Sequence, residues 1–211
     1  MKLYEIYTSI QGETQYAGLP CTLVRFAGCD LRCSYCDTEY AFTGGHEVAR
    51  ESIVADVVAR RVNLVLLTGG EPLLQPELPL LASDLLERGF EVMVETGGHR
   101  DVTKMPAGTV LIVDIKTPGS GESLKNRWAN LEHLGPRDAV KFVCTSEDDY
   151  VWAREVIREH ALEARCQVLL SPGFGQVEPR ALTEWMLRDN LRVRLNLQIH
   201  KYVWPPELRG V

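Results

Sequence analysis

The sequence holds no apolar run long enough to cross a bilayer, so no membrane-spanning helix is expected. It has no surplus of basic residues either. Its 23 Lys and Arg stand against 29 Asp and Glu, a formal charge of −6. A broad surface for nucleic acid or for an anionic membrane is therefore not expected. The opening residues, MKLYEIYTSIQGE, lack a cationic start followed by an apolar core, so no secretory signal is expected and a cytoplasmic location is. No repeat, low-complexity tract or linker divides the chain, which reads as one domain over residues 1–211. Cysteine is sparse, six residues in 211. In a reducing compartment six thiols point to metal binding or catalysis before disulfides.

What is present is an alternation of strands and helices. Strand patterns fall at Cys21–Ala27, Val62–Leu67, Glu91–Glu95, Val110–Asp114, Ala139–Cys144, Val168–Leu170 and Leu191–Leu197. Helical spacing falls at Glu47–Arg60, Leu73–Glu87 ending at Gly89, Ser146–His160 capped by Ser146, and Pro179–Arg188. This order predicts an α/β domain with a mostly parallel sheet. Sites in such folds gather where strands end. After the first strand comes a cysteine loop. The next ends carry Thr68-Gly69-Gly70-Glu71-Pro72, Thr96-Gly97-Gly98-His99, Ile115-Lys116-Thr117-Pro118-Gly119 and Ser171-Pro172-Gly173-Phe174-Gly175. Five polar, glycine-rich ends at one rim predict one large ligand across the mouth.

The cysteine loop reads GCDLRCSYCDTEY, with Cys29, Cys33 and Cys36 spaced C-x3-C-x2-C. Small buried residues brought together by chance are one reading. A structural zinc site is a second, but it wants four ligands, usually as two pairs, and Cys21, Cys144 and Cys166 form no second pair. His46 has nothing to recommend it as a fourth ligand. An iron–sulfur cluster is the third. Electron carriers take four cysteines, so three leave one iron of a [4Fe–4S] cube open to a substrate or cofactor.

The spacing resembles the signature of the radical S-adenosylmethionine (SAM) superfamily, and Gly69-Gly70-Glu71-Pro72 resembles its methionine-binding motif. Ile10-Gln11-Gly12-Glu13, Arg25-Phe26-Ala27-Gly28-Cys29, Cys36-Asp37-Thr38 and Gln198-Ile199-His200-Lys201-Tyr202 narrow the likeness to the 7-carboxy-7-deazaguanine synthase family, from about residue 4 to the end. The resemblance implies a trimmed, partial radical-SAM (βα) barrel. It implies a carbon–nitrogen lyase that converts 6-carboxy-5,6,7,8-tetrahydropterin into 7-carboxy-7-deazaguanine with loss of ammonia, for 7-deazapurines including queuosine. It also implies a [4Fe–4S] cluster, SAM used catalytically, Mg2+, a low-potential electron donor such as flavodoxin, and a homodimer.

By the same resemblance, Cys29, Cys33 and Cys36 are the cluster ligands. Tyr35, Cys36, Asp37, Gly70, Asp114, Ile115, Lys116 and Ser171, Pro172, Gly173, Phe174 match SAM contacts. Thr38 matches the Mg2+ ligand. Ile10, Gln11, Gly12, Arg25 and Thr68 match substrate contacts, with His200 a further candidate. The residue chemistry agrees in part. Arg25 offers a planar fork for a carboxylate, Gln11 and Glu13 offer groups for an amide and amine edge, and magnesium accepts few protein ligands beside substrate and water. Arg25 as an ordinary pairing arginine, Gln11 and Glu13 as a solvated turn, His200 as a core histidine and Thr38 as a turn residue are the plainer readings. The chain departs from the family at Thr14, Gly97, Asp114-Ile115-Lys116 and the longer end Trp204–Val211. Two rival functions remain at this point: an activase that installs a glycyl radical in a protein, and a non-catalytic zinc or iron–sulfur module.

Overall fold

The computed structural model describes all 211 residues. Nine strands form one open sheet: β1 (Lys2–Ile10), β2 (Pro20–Phe26), β3 (His46–Glu47), β4 (Leu64–Gly69), β5 (Glu91–Thr96), β6 (Val110–Asp114), β7 (Ala139–Cys144), β8 (Gln167–Pro172) and β9 (Arg194–Leu195). Their order is β3-β1-β2-β4-β5-β6-β7-β8-β9. From β2 to β9 every pairing is parallel, whereas β1 runs antiparallel to β2 and β3. The helices are α1 (Arg50–Arg60), α2 (Leu78–Glu87), α3 (Glu147–Glu159), α4 (Pro179–Arg188) and α5 (His200–Val203).

Period-two alternation sorts every parallel strand between two faces. Val24 and Phe26, Val65 and Leu67, Val92 and Val94, Val140 and Phe142, Val168 and Leu170 face outward. There they meet Ile53, Val54 and Val57 of α1, Leu78, Leu81, Ala82 and Leu85 of α2, Tyr150, Ala153 and Ile157 of α3, and Leu182 of α4. Each such leucine, isoleucine or valine contributes about 1.5–3 kcal/mol on burial. The inner face changes character along its length. Its lower layers are apolar: Cys21, Leu64, Leu66, Met93, Val110, Ile112, Ala139 and Leu169 pack together. One step further toward the C-terminal ends, the same rows read Arg25, Thr68, Glu95, Asp114, Lys141 and Ser171. The plug at the bottom of the partial barrel therefore gives way to a polar floor at its mouth.

Three differences from the sequence reading have local causes. Leu73–Glu87 is broken: a 3-10 turn covers Pro72–Leu74 and α2 begins only at Leu78. Pro76 disfavours helical backbone at Gln75, which is extended at φ −82°, ψ 112°. Leu191–Leu197 shrinks to the two-residue β9, because an edge segment with alternating arginines pairs only where it meets β8. Lys2–Ile10 form β1, whose half-buried, irregular pattern carries no clean alternation.

Candidate active site

A cavity of about 520 Å3 opens at the C-terminal rim. It is lined by all the candidate residues except Ile115, whose side chain turns outward into the helix-side core and is fully buried. Strand alternation explains this: Asp114 and Lys116 point in, so Ile115 points out.

The cysteine loop follows β2 and is tied down from several sides. Gly28 N donates to Ala41 O at 2.8 Å, and Ser34 N and Oγ donate to Ser120 O and Gly119 O at 3.0 and 2.7 Å. Arg32 N donates to Glu122 Oε1 at 2.6 Å. Asp30 accepts from His99, at 2.7 Å, and from Arg100. Cys29, Cys33 and Cys36 are half-buried free thiols. Burial pushes all three up, Cys33 to about 11, so loading a metal must displace their protons. Nowhere do three His, Cys, Asp or Glu side chains converge as ligands of a single ion. The three separate thiols suit a cube, whose irons each take a thiolate of their own.

The Gly69–Pro72 loop lies directly on this cysteine loop. A Cβ on Gly70 would fall 2.2 Å from Gly28 O and 2.8 Å from Cys29 Cβ, and Gly69 holds φ +146°. Glu71 does not line the cavity. Its buried carboxylate accepts from Leu73 N, Thr96 Oγ1 and Gly97 N at 2.8–2.9 Å. It therefore fastens the second glycine loop to the third.

Groups left free toward the cavity fit a polar cofactor. Tyr35 Oη and Asp114 Oδ1 are buried without a hydrogen-bond partner. Lys116 Nζ bonds Asp114 Oδ2 at 2.9 Å and lies 5.6 Å from the Tyr35 ring centre. Burial opposes its charge, but Asp114 outweighs this and holds the Lys116 pKa above its ordinary value. At the neighbouring rim Ser171 Oγ accepts from Asn196 at 2.8 Å, and Lys201 lies over the exposed ring of Phe174 at 4.5 Å.

The loop after β1 forms another wall. Ile10 and Gln11 line the cavity, and Gln11 Nε2 is buried and unpartnered. The His200 ring rests on Gly12, where a Cβ would lie 1.9 Å from His200 Nδ1. Burial lowers the His200 pKa, so the ring is neutral at neutral pH. Arg25 stands beside Thr68 across the β2–β4 pair. It is not free: Nε donates to Glu5 at 2.8 Å and Nη2 to Tyr7 Oη at 3.1 Å. Thr38 Oγ1 donates to Asp37 Oδ1 at 3.0 Å. The Asp37 carboxylate also accepts from Gln198 and from Lys201, at 2.9 and 2.8 Å. Although burial opposes it, Lys201 holds Asp37 well below the usual carboxylate range.

Residues beyond the candidates also line the cavity: Tyr7, Tyr40, Glu95, Lys141, Gln198, Lys201 and the end segment from Pro206, whose Arg209 lies 4.1 Å over Tyr40. One signal was available for Lys141, a lone charge inside the apolar strand AVKFVC. Tyr7 and Tyr40 gave none, because their partners are distant in sequence.

The family model of the radical SAM superfamily matches residues 23–110. The chain is 43% identical to the 7-carboxy-7-deazaguanine synthase of Koribacter versatilis over 100% of both chains. It is 44% identical to that of Chlorobaculum tepidum, over 100% of this chain and 97% of the relative. In fold it is similar to the crystal structure of QueE from Escherichia coli, with a TM-score of 0.77 over 93% of this chain and 92% of that one at 21% identity. It is also similar to Streptococcus suis SuiB bound to S-adenosylmethionine, with a TM-score of 0.58 over 83% of this chain and 51% of that one at 13% identity. At those identities the two likenesses speak for the fold alone.

Proposed function

The chain belongs to the 7-carboxy-7-deazaguanine synthase family of the radical SAM superfamily, and from that premise we propose that it converts 6-carboxy-5,6,7,8-tetrahydropterin into 7-carboxy-7-deazaguanine, releasing ammonia, in 7-deazapurine biosynthesis such as that of queuosine. The observation that carries the reading is the single cavity in which the cysteine loop faces the polar ends of the parallel strands. Cys29, Cys33 and Cys36 would hold a [4Fe–4S] cluster. Gly70, Tyr35, Asp37, Asp114, Lys116 and Ser171–Phe174 would hold SAM, with Ile115 contributing only backbone. When bound, the cluster and SAM supply one-electron cleavage and hydrogen-atom abstraction at the substrate.

The chain's own residues have three tasks. Gln11 Nε2 offers a free donor to the bicycle. Arg25, held flat by Glu5 and Tyr7 with Nη1 left over, directs positive charge at a carboxylate. Neutral His200, wedged on Gly12, closes the wall and keeps water from the reacting carbon. The cytoplasm, a homodimer and a low-potential donor such as flavodoxin complete the proposal, supported by family membership.

The test is an anaerobic assay of reconstituted protein with SAM, a low-potential reductant and the pterin, read by product mass. Product should exceed released 5′-deoxyadenosine many-fold. One 5′-deoxyadenosine per product would show SAM consumed, and no product would overturn the assignment.

We further propose that Thr38 binds Mg2+ together with the substrate carboxylate. Asp37, the stronger ligand by chemistry, is already neutralised by Lys201. The Thr38 hydroxyl can be released from a neighbouring carboxylate at small cost. Thr38→Ala should lose magnesium stimulation and keep its iron and SAM affinity, while Thr38→Ser keeps much of the stimulation. The measurement is rate against magnesium concentration, with calcium as the size control. A wild-type response in Thr38→Ala would put the metal elsewhere.

A further inference from the structure

Lys141 projects from the inner face of β7, one layer above the apolar plug. It is 7% exposed. Its ammonium meets three carboxylates from three elements: Glu13 of the loop after β1 at 3.1 Å, Glu95 of β5, and Asp114 of β6 at 3.7 Å. Asp114 has a second cation in Lys116. Glu13 and Glu95 have none. Glu13 is also held by Asn196 and Gln198, each at 3.1 Å, but Glu95 has Lys141 as its only side-chain partner, leaving Oε2 free. The remaining titratable groups nearby are Tyr35 and Cys33, beside Lys116, and His200, beside Glu13.

This arrangement is costly unless it is used. Carboxylates gathered in one site repel and push one another toward the neutral form. A buried ion pair stabilises no better than well-packed apolar residues, and the layer directly below shows that this interior accepts such residues. Burial holds the Glu95 pKa above its ordinary value, and Glu13 and Asp114 add to the rise, while Lys141 is the one neighbour that pulls it back down. Burial opposes the Lys141 charge, but the three carboxylates outweigh it and hold the lysine well above its ordinary value.

We propose that Lys141 is a positioning residue that keeps Glu95 ionised and holds it apart from Glu13 across its ammonium, so that Glu95 presents a free acceptor to the amino and amide N–H edge of the pterin. This role rests on the functional reading above. Lys141 itself touches no reacting atom. It sets the charge and direction of the group that does the reading. Neutralising Glu95 would turn an acceptor into a donor facing other donors.

The experiment compares wild type, Lys141→Arg, Lys141→Met and the double variant Lys141→Met/Glu95→Gln. Three quantities are read: pterin affinity by calorimetry without reductant, KM and kcat against pH, and melting temperature. Lys141→Met should weaken pterin binding ~10-fold or more, the equivalent of one lost hydrogen bond to a charged group, with KM changing more than kcat. The sign of the pH effect is fixed. The ionised pair exists above its pKa, so a raised pKa moves the acid limb of kcat/KM to higher pH, by about one unit or more. Lys141→Arg should restore the position of that limb. If Lys141→Met does not fold, the double variant removes the repulsion and should fold, bind SAM normally and still bind pterin weakly. Folded Lys141→Met with wild-type affinity and acid limb would overturn the role, as would Lys141→Arg impaired equally with Lys141→Met. Wild-type protein that binds no pterin would overturn the functional reading and this role with it.

Discussion

Replacing any one of Cys29, Cys33 or Cys36 with alanine is expected to abolish turnover, with iron and acid-labile sulfide falling far below wild type after anaerobic reconstitution. Cys21→Ala, Cys144→Ala and Cys166→Ala should load normally. The two sets sit in different surroundings. The first three are half-buried at the cavity wall, on a loop fixed by Glu122, Ser120 and His99. The others are buried apolar side chains: Cys21 belongs to the inner plug and Cys144 and Cys166 to the helix-side core. Burial pushes Cys21 to about 12 and Cys166 to about 11, outweighing the Leu66 and Val140 backbone and the Arg165 charge that favour their thiolates. If these three are the only protein ligands, as proposed, the loss of one would leave two irons of a cube without a protein thiolate. No spare cysteine faces the cavity to take its place. Iron, sulfide and turnover measured on the same samples separate a lost cluster from a damaged fold. A well-folded Cys144→Ala protein without iron would overturn the assignment.

The cysteine trio and the Gly69–Pro72 loop were legible because both are local: spacing along a few residues carries the information. The parallel strands were legible for the same reason, since each is a short apolar run. What stayed hidden depends on distant pairs. Lys141 meets Glu13 across 128 positions, and Gln198 meets it across 185. No periodicity reports such contacts. Arg25 illustrates the difference. Its place in an apolar strand before Cys29 marked it, but its partners Glu5 and Tyr7 belong to β1, a strand that the sequence pattern did not announce. Ile115 marks a limit of another kind, because only its backbone is left for the role that the resemblance implies. Family likeness placed it among SAM contacts by its neighbours, while strand alternation sends its side chain to the core.

Glu71→Ala is expected to destabilise the protein by about 3 kcal/mol and to weaken SAM binding without touching a cysteine. The carboxylate is fully buried and is the sole acceptor for Leu73 N–H, the Thr96 hydroxyl and Gly97 N–H. Alanine leaves three donors without an acceptor, and each such group costs about 1–3 kcal/mol when water cannot reach it. Leu73 and Gly97 are only partly buried, so the sum falls near the low end. Against a typical domain stability of about 5–15 kcal/mol, this remains a large fraction. The loss is placed where it matters, because Glu71 joins the loop packed on Cys29 to the loop after β5. Released, Gly70 and Gly97 would no longer hold their register around the cavity. Glu71→Gln distinguishes charge from geometry. The amide keeps one acceptor oxygen for Leu73 and Thr96, but its NH2 faces the Gly97 N–H, donor against donor. It should therefore lose stability too, by less than alanine does. Urea unfolding of the metal-free proteins gives the first quantity, and calorimetry with SAM on reconstituted proteins gives the second. A wild-type urea midpoint in Glu71→Ala, with SAM affinity still reduced, would mean that the carboxylate serves the cofactor directly and does not tie the loops.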